Sequence, residues 1–367
     1  MNGKWLTLVL CLLLTGTAHP NPNPEPEPVR NLVLMIGDGM GLAQVSMLQI
    51  GNDYAPTAFD RAQQVALLVT RSANNRVTDS AAAATALATG CKTDNGTLGV
   101  DPSGVPLESS MARAAAKGLA TGIVVTSALQ HATPGAFYAH VGDRGDMPAI
   151  TRQLAAADID VLIGGGRRWL AEPCDDGGTW FDAFVRRGYF VTDDLAQTHS
   201  VGREKVLCAV AEKHLPKASE RGDFLPRATE RALELLDAAS AGRPQGFLLL
   251  VEGSLIDYAL HAGDAGWTLD EMRDFERAVA AAMDFADRTP GTLVVVTGDH
   301  ETGGLAISAN KTDFTLGENG LQYHFSTTSH TATMLPVYLY GTGADRIGGV
   351  MENTELARRI MTLLGVE

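Results

Sequence analysis

Acidic and imidazole side chains recur at several places along the chain, mostly just after short apolar runs. Asp257 and His261 lie four residues apart, so on a helical turn both project from one face and can bind a single metal ion. Asp299 and His300 are adjacent, a spacing that suits a loop or a strand end. Either pair alone is more typical of a solvated carboxylate beside a buried histidine. Further ligand-type residues beside glycines or small residues turn the prediction toward a metal centre; these are Asp38, Glu252 and His330.

A serine stands at the start of an alanine-rich stretch. Alanine is the strongest helix former, and Asp or Ser at a helix start satisfies free backbone amides, so Ser80 is expected in the first turn of a helix ending at Gly90. The helix dipole and free N–H groups there favour an anion such as phosphate. From this segment alone, Ser80 could simply cap the helix. The metal-ligand set favours a nucleophile, because a serine beside a divalent cation can ionise near neutral pH.

The elements that must position these residues follow from the pattern of hydrophobicity. From Arg30 onward, short β-branched runs alternate with alanine-rich helical patterns. This alternation predicts an α/β fold, a three-layer α/β/α sandwich with a large, mostly parallel central sheet. The predicted strands are nearly continuously apolar, as is typical of strands buried on both faces; they are 31–36, 122–126, 161–163, 246–251, 292–297 and 337–340. In open α/β sheets, ligands collect beyond the carboxyl ends of strands.

One helix is predicted with a defined start. Residues 268–271, Thr-Leu-Asp-Glu, form a capping box. An apolar stripe at helical spacing follows and is expected in the core; its members are Met272, Phe275, Val279, Ala282 and Met283. The Pro/Gly-rich stretch at about 167–228 is predicted as an insertion within one folded domain that covers residues 30–367.

Composition excludes several classes of protein. The chain has 367 residues, 45% of them hydrophobic and 20% charged, which is typical of a globular protein and not of a disordered, collagen-like or membrane-embedded one. The formal net charge is −14, from 29 Lys+Arg against 43 Asp+Glu. Such an acidic surface repels a phosphate backbone, so no nucleic-acid partner is expected.

The first residues predict export. Lys4 precedes an apolar run and small residues that end at Ala18, so residues 1–18 are predicted as a cleavable signal peptide of a periplasmic or secreted protein. The apolar run is too short to span a bilayer, and no membrane span is expected. Residues 19–29 alternate proline with polar residues through most of their length and predict an extended linker.

Three cysteines remain once the signal peptide is removed. Cys91, Cys174 and Cys208 are an odd number in a compartment that permits disulfides. A bond between Cys174 and Cys208 is the favoured pairing, since both lie in the irregular middle of the chain. Cys91 follows the alanine-rich helix. The sequence leaves the pairing open.

Six segments together resemble the motifs of the alkaline phosphatase family and occur in that family's order. They are NLVLMIGDGMG at 31–41, VTDSAAAATA at 77–86, HATP at 131–134, EGSLIDYALH at 252–261, TGDH at 297–300 and SHT at 329–331. The resemblance extends over nearly everything from Arg30 to the C-terminus. It implies hydrolysis of phosphate monoesters by a metal-dependent enzyme.

The resemblance implies a centre of two zinc ions and one magnesium ion. The implied ligands are Asp257, His261 and His330 for the first zinc; Asp38, Asp299 and His300 for the second; and Asp38, Thr133 and Glu252 for magnesium. One phosphate oxygen would lie between the two zinc ions. These assignments come from the resemblance and not from the spacing of the residues.

The resemblance also implies residues at the phosphate. Arg144 would bind two phosphate oxygens through its planar guanidinium, and Asp79 would orient Arg144. Ser80 would attack phosphorus to form a phosphoserine, which zinc-activated water would hydrolyse to inorganic phosphate, with an alkaline optimum. His131 and Tyr258 stand at positions that vary within the family. They could tune magnesium affinity and phosphate release, or simply pack.

Two alternative functions stay open. A phosphodiesterase or phosphonate hydrolase on the same two-metal scaffold is the nearer one, although Arg144, Thr133 and Glu252 favour monoesters. A second ester group would remove the charged oxygen that Arg144 binds. A secreted metal- or phosphate-binding protein without turnover is the other, and Ser80 argues against it. Relatives in the family are commonly homodimers, so a homodimer is expected, while the short middle insertion leaves a monomer open.

Overall fold

The structure is a computed structural model that describes residues 27–202, 205–241, 246–309 and 320–367. The predicted signal peptide and most of the predicted linker lie outside these ranges. Val29, at the end of that linker, is buried in the core. None of the helices in the described ranges combines the length and the apolar composition that a membrane span requires.

The secondary structure alternates strands and helices. The strands are β1 (Asn31–Gly37), β2 (Gln64–Val69), β3 (Ala120–Ala128), β4 (Val161–Gly165), β5 (Tyr189–Thr192), β6 (Lys205–Ala211), β7 (Phe247–Gly253), β8 (Thr292–Gly298), β9 (Glu301–Thr302), β10 (Leu305–Ala309), β11 (Leu321–Phe325), β12 (His330–Thr331), β13 (Leu335–Gly341) and β14 (Gly349–Glu352). The helices are α1 (Leu42–Gly51), α2 (Ser80–Thr89), α3 (Ser110–Ala116), α4 (Ala132–Gly135), α5 (Met147–Ala156), α6 (Arg167–Leu170), α7 (Trp180–Arg186), α8 (Ala218–Arg221), α9 (Phe224–Ser240), α10 (Leu255–His261), α11 (Ala265–Arg288) and α12 (Asn353–Leu364). Short 3-10 turns lie at Ala58–Arg61, Leu195–Ser200 and Ala344–Arg346.

A ten-stranded sheet forms the centre of the molecule, in the order β14-β2-β13-β8-β1-β7-β3-β4-β6-β5. Only β13 among the described strands of this sheet runs antiparallel to its neighbours, β2 and β8. The predicted, mostly parallel sheet is confirmed. All six predicted strands are present, each within a residue or two of its predicted ends.

Helices cover both faces of the sheet, which confirms the three layers. On β1, Leu32, Leu34 and Ile36 pack into one hydrophobic cluster, whereas Val33 and Met35 pack into the other. The first cluster includes residues of α2, α3, α5 and α12, and the second includes residues of α1, α9 and α11. Because successive side chains of a strand point to opposite faces, a strand buried on both sides is apolar through most of its length.

Four strands of the sheet were not predicted. β2 carries an apolar run at 65–69 but is partly exposed, and β14 has only four residues. β5 and β6 lie within the stretch at about 167–228, where β6 pairs with β4 and β5 pairs with β6. That stretch therefore extends the central sheet, and its description as an insertion stays a prediction.

The predicted start of the long helix is wrong. α11 begins at Ala265, because the Asp264 carboxylate accepts a hydrogen bond from the Trp267 amide at 3.0 Å and caps the helix one turn earlier. Thr268 already lies inside the helix, where its hydroxyl donates to the Asp264 carbonyl. Glu271 is buried and accepts from the Ala218 amide instead of capping. The predicted apolar stripe from Met272 to Met283 is buried, as expected.

The favoured disulfide is also wrong. All three cysteines in the described ranges are free thiols. Cys208 is buried within β6 in the second hydrophobic cluster. Cys174 lies in the turn before α7, where its thiol donates to the Gly177 carbonyl. The folding of β6 into the sheet therefore directs the two sulfur atoms to different environments.

Candidate metal centre

The carboxyl ends of three adjacent strands bring the candidate ligands together. β1 pairs in parallel with β7 on one side and β8 on the other. Asp38 follows β1, Asp299 follows β8, and Glu252 lies opposite Ile36 on β7. Gly39 makes the tight turn after β1 at a φ of +77°, and a Cβ there would approach the Thr302 hydroxyl oxygen to 2.9 Å.

The first group of ligands, Asp257, His261 and His330, offers one carboxylate and two imidazoles within 4.8 Å of one another. The two Nε2 atoms lie 3.2 Å apart, and His261 Nε2 is 3.2 Å from Asp257 Oδ2. Each Nδ1 faces a backbone carbonyl, that of Thr328 for His261 and that of Thr78 for His330. A carbonyl only accepts, so each Nδ1 carries a ring proton and each Nε2 is the atom that can present a lone pair to a cation. Converging lone pairs and a carboxylate are a cation site.

The second group, Asp38, Asp299 and His300, is completely buried. His300 Nε2 lies 3.2 Å from Asp299 Oδ2 and 3.5 Å from Asp38 Oδ1. Both carboxylate oxygens of Asp38 and Oδ2 of Asp299 have no hydrogen-bond partner among the described residues. Burying unpaired carboxylate oxygens is costly unless a cation compensates their charge. The donor set therefore fits a divalent metal ion.

Thr302, which sequence reasoning missed, connects these two groups. Its hydroxyl donates to Asp257 Oδ1 at 2.7 Å, and its oxygen lies 3.1 Å from His300 Nδ1. Because the only hydroxyl proton is committed to the carboxylate, the oxygen accepts from His300 Nδ1–H. His300 Nε2 is then unprotonated and faces the second group, as a metal ligand requires. No sequence motif marks Thr302, because its role depends on Asp257, which is 45 residues away along the chain.

The third group combines Asp38, Glu252 and His131, whose ligand-type atoms lie within 4.8 Å. His131, predicted beside the magnesium ligands or in packing, thus lies within reach of a cation. Thr133, on α4, is buried, and its hydroxyl oxygen has no hydrogen-bond partner in the described structure. Ser254 donates to Glu252 Oε2 at 2.6 Å, whereas Oε1 has no such partner.

Ser80 is placed as predicted, at the first position of α2, which ends before Gly90. Its Oγ lies 3.2 Å from His300 Nε2, at the second ligand group. Asp79 is the N-cap, and its Oδ1 accepts from the Ala82 amide. Asp79 Oδ2 accepts from Arg144 at 3.1 Å, so Arg144 is held beside the start of the helix that carries Ser80.

Tyr258 lies beside the third group and contacts two histidines. Its hydroxyl is 3.5 Å from His131 Nε2 and 3.1 Å from Nε2 of His214, a residue that sequence reasoning missed. His214 lies in the short connection between β6 and α8, outside every recognisable motif. Tyr258, His131 and His214 together are called the aromatic cluster below.

Crowded carboxylates shape the charge of the site. Burial and the negative charges of Asp299, Asp257 and Glu252 raise the pKa of Asp38 well above its ordinary value. Burial raises the pKa of Glu252 to about 7. Asp257 behaves differently: burial opposes its ionisation, yet the hydrogen bond with His261 and the neighbouring imidazoles hold its pKa below the usual range. Without a cation, Asp38 and Glu252 therefore keep their protons to a higher pH than exposed carboxyl groups do.

The metal-free protein should lose thermal stability as the pH rises from 7 to 9. The hydrogen bond with Asp257 raises the pKa of His261 from 6.5 to about 9. Between these values the folded protein binds more protons than the unfolded chain, so the free energy of unfolding falls with rising pH. Glu252, with its pKa raised to about 7, contributes in the same direction up to that pH. Burial lowers the pKa of His300 and of His131, so these two groups make the free energy of unfolding rise with pH, but only below about pH 6.5.

Melting temperatures in a chelator, measured from pH 7 to 9, would show this decline. The matched control contains excess zinc and magnesium, because cations that replace the bound protons should raise the melting temperature and remove most of the decline. A metal-free melting temperature that rises over this range would contradict the assigned protonation.

Comparisons with known proteins identify relatives of this chain. The family model described as alkaline phosphatase matches residues 29–324. The chain is 38% identical over 298 residues to Alkaline phosphatase 4 of Bacillus subtilis (strain 168), a match that covers 77% of this chain and 63% of that protein. This chain thus spans less than two thirds of that relative's length. It is 34% identical over 408 residues to streptomycin-6-phosphate phosphatase of Streptomyces griseus, with 92% of this chain and 91% of that protein covered.

Solved structures share the fold. The alkaline phosphatase from the Antarctic bacterium TAB5 superposes with a TM-score of 0.85 at 32% identity, over 93% of this chain and 99% of that one. A variant of that protein, in which one histidine is replaced by aspartate, is described with Mg bound in its M3 site. That variant superposes with a TM-score of 0.86 at 31% identity, over the same shares of the two chains.

Proposed function

Because this chain belongs to the alkaline phosphatase family, we propose that it hydrolyses phosphate monoesters to an alcohol and inorganic phosphate. The observation that carries the proposal is the position of Ser80. Its Oγ lies at the N-terminus of α2 and 3.2 Å from the Nε2 of His300, where buried carboxylates without hydrogen-bond partners mark a cation site. A nucleophile, an anion-binding helix end and a metal centre converge there.

The three ligand groups are proposed to hold two zinc ions and one magnesium ion. The carboxylate-imidazole groups, Asp257 with His261 and His330 and Asp38 with Asp299 and His300, suit zinc. Asp38, Glu252 and Thr133 offer oxygen atoms that suit magnesium, and the Mg described in the TAB5 variant supports a third site. Bound cations would lower the pKa of a hydroxyl or water and neutralise charge on phosphate oxygens.

The chain's own residues supply binding and attack. Arg144, fixed by Asp79, would hold two phosphate oxygens through parallel N–H bonds, and the free amides at the start of α2 would attract the same anion. Ser80 Oγ would then attack phosphorus as the ester oxygen leaves on the opposite side, and a phosphoserine would form. Water would attack the phosphoserine, break the bond between Oγ and phosphorus, and regenerate Ser80.

Specificity for monoesters is proposed on the charge of Arg144. A monoester presents a doubly charged phosphoryl group, whereas a diester has lost one charged oxygen that the guanidinium would bind. The relative named streptomycin-6-phosphate phosphatase is named for a phosphate ester of a small molecule. A phosphodiesterase or phosphonate hydrolase and a binding protein without turnover remain the alternative functions.

Location and assembly are proposed on the sequence. Residues 1–18 support export to the periplasm or the medium. A homodimer is proposed from the family, and a monomer is its alternative. Sequencing the N-terminus of the secreted protein and measuring its mass in solution test both proposals.

The purified protein should hydrolyse p-nitrophenyl phosphate at a rate well above that of bis-p-nitrophenyl phosphate, and faster at alkaline than at neutral pH. Excess chelator should abolish the activity, and zinc with magnesium should restore it, because the carboxylates of the centre need their cations. Metal content is measured on the same sample.

Each alternative has a distinct result in this assay. A diester hydrolysed faster than the monoester would indicate a phosphodiesterase. Binding of metal and phosphate without hydrolysis of either ester would indicate a binding protein. Full activity in excess chelator would contradict the metal centre itself.

A further inference from the structure

A buried backbone amide determines which nitrogen of His214 carries the proton. The Ala128 N–H donates to His214 Nδ1 at 3.1 Å, next to the bond by which the Leu215 amide donates to the Thr126 carbonyl. An amide N–H can only donate, so Nδ1 is an unprotonated acceptor. The neutral ring then carries its proton on Nε2, and that proton points at the Tyr258 hydroxyl oxygen 3.1 Å away.

Packing holds the three rings of the aromatic cluster in this arrangement. His131 and His214 meet edge to face with centroids 5.2 Å apart, and His214 and Tyr258 also lie 5.2 Å apart. His131 Nδ1 is buried without a hydrogen-bond partner in the described structure, whereas its Nε2 faces Tyr258. If Nδ1 is the nitrogen that joins Asp38 and Glu252 at the third cation, Nε2 carries the His131 proton toward the same hydroxyl oxygen.

The hydroxyl proton of Tyr258 is thereby left for another acceptor. A phenol oxygen can accept two hydrogen bonds and donate one. Tyr258 directly follows Asp257, and its hydroxyl lies beside His131, whose ring belongs with Asp38 and Glu252 to the third ligand group. Since cations would occupy the carboxylates, the acceptor that this setting offers is an oxygen of a phosphate held by the cations and Arg144.

We propose that His214 is a positioning residue for phosphate binding: it donates to Tyr258 and so directs the Tyr258 hydroxyl proton to an oxygen of the bound phosphate. The inference deepens the proposed function and rests on it for the identity of the anion. His214, in the connection between β6 and α8, would then affect phosphate affinity without touching the phosphate or a ligand of the two zinc groups.

Equilibrium binding of inorganic phosphate to the metal-loaded protein tests the proposal. Tyr258→Phe should weaken binding about tenfold, the effect of one hydrogen bond to a charged group. His214→Phe should weaken it about fivefold, because a misdirected hydroxyl still samples the productive orientation. His199→Phe, an exposed histidine in the same part of the chain, is the control and should change nothing.

A double-mutant cycle separates positioning from packing. In the Tyr258→Phe background, His214→Phe should have no further effect on phosphate binding. An equal loss in both backgrounds, or no loss in either, would overturn the proposal. If His214→Phe lowers the melting temperature, His214→Asn replaces it, since its amide oxygen can still accept from Ala128 while its side chain no longer reaches Tyr258.

Nitrogen NMR of the metal-loaded protein gives a readout independent of turnover. The His214 signals should show an unprotonated Nδ1 and a protonated Nε2, and the reverse would overturn the proposal. If His214→Phe weakens phosphate binding but the protein hydrolyses no monoester, only the proposed function is contradicted. If the protein hydrolyses monoesters but His214→Phe leaves phosphate affinity unchanged, only this inference is contradicted.

Discussion

Replacing Ser80 by alanine should lower kcat/KM for p-nitrophenyl phosphate by about three orders of magnitude and abolish the phosphoserine. The hydroxyl is the only group that the substitution removes, and its oxygen lies 3.2 Å from His300 Nε2 at the second ligand group. Some turnover should survive, because bound cations can still activate water. Steady-state kinetics and the mass of the acid-quenched protein after brief exposure to substrate measure the two effects.

Ser110→Ala is the matched control. Ser110 is the first residue of α3 as Ser80 is of α2, each follows a side-chain N-cap, and each is 3% exposed. Ser110 lies at no ligand group, so its replacement should leave both the rate and the phosphoenzyme unchanged. A phosphorylated Ser80→Ala protein, or equal losses in the two variants, would contradict the role of Ser80 as nucleophile.

Replacing Arg221 by alanine should lower the free energy of unfolding by about 3 kcal/mol or more. Arg221 is 3% exposed in its side chain and donates to Glu271 at 2.5 Å and to Asp274 at 2.7 Å, both completely buried. Removing the guanidinium would leave two buried carboxylates facing each other, although Arg277 still contacts Asp274. These bonds also join α8 to α11, next to the connection that carries His214. Urea unfolding of the metal-loaded protein measures the loss.

Arg152→Ala is the control for this prediction. Arg152 also makes two hydrogen bonds to one carboxylate, that of Asp175, but both side chains are more than half exposed. Exposed ion pairs contribute little because water solvates the separated charges nearly as well. Unfolding should therefore be almost unchanged in this variant. A similar small effect for Arg221→Ala would show that the buried network does not stabilise the fold.

Local rules explain why much of the fold and the site could be predicted. Strands buried on both faces carry nearly continuous apolar runs, and β1, β7 and β8 are marked in this way. The spacing of Asp257 and His261 reports one helical face, and the alanine-rich segment after Asp79 reports a capped helix. Each of these patterns depends only on residues within about one helical turn or one strand along the chain.

Long-range contacts explain the failures. Asp264, and not Thr268, caps the helix. Glu271 of the predicted capping box instead accepts a hydrogen bond from the buried Arg221, 50 residues away along the chain. Cys174 and Cys208 share an irregular part of the sequence, yet pairing of β6 with β4 buries only the second. β5 and β6 themselves were hidden in a stretch whose composition resembles a loop.

By itself, the sequence indicated the ligand-type residues, the candidate nucleophile Ser80 and the positions of the strands that carry the ligands, because each depends on residue identity and on neighbours close along the chain. Only the tertiary structure decided which ring nitrogen of each histidine carries the proton. The proton on His300 depends on Thr302 and Asp257, and the proton on His214 depends on the Ala128 amide. Hydrogen bonds form between groups in space, and no spacing along the chain specifies which of them will meet.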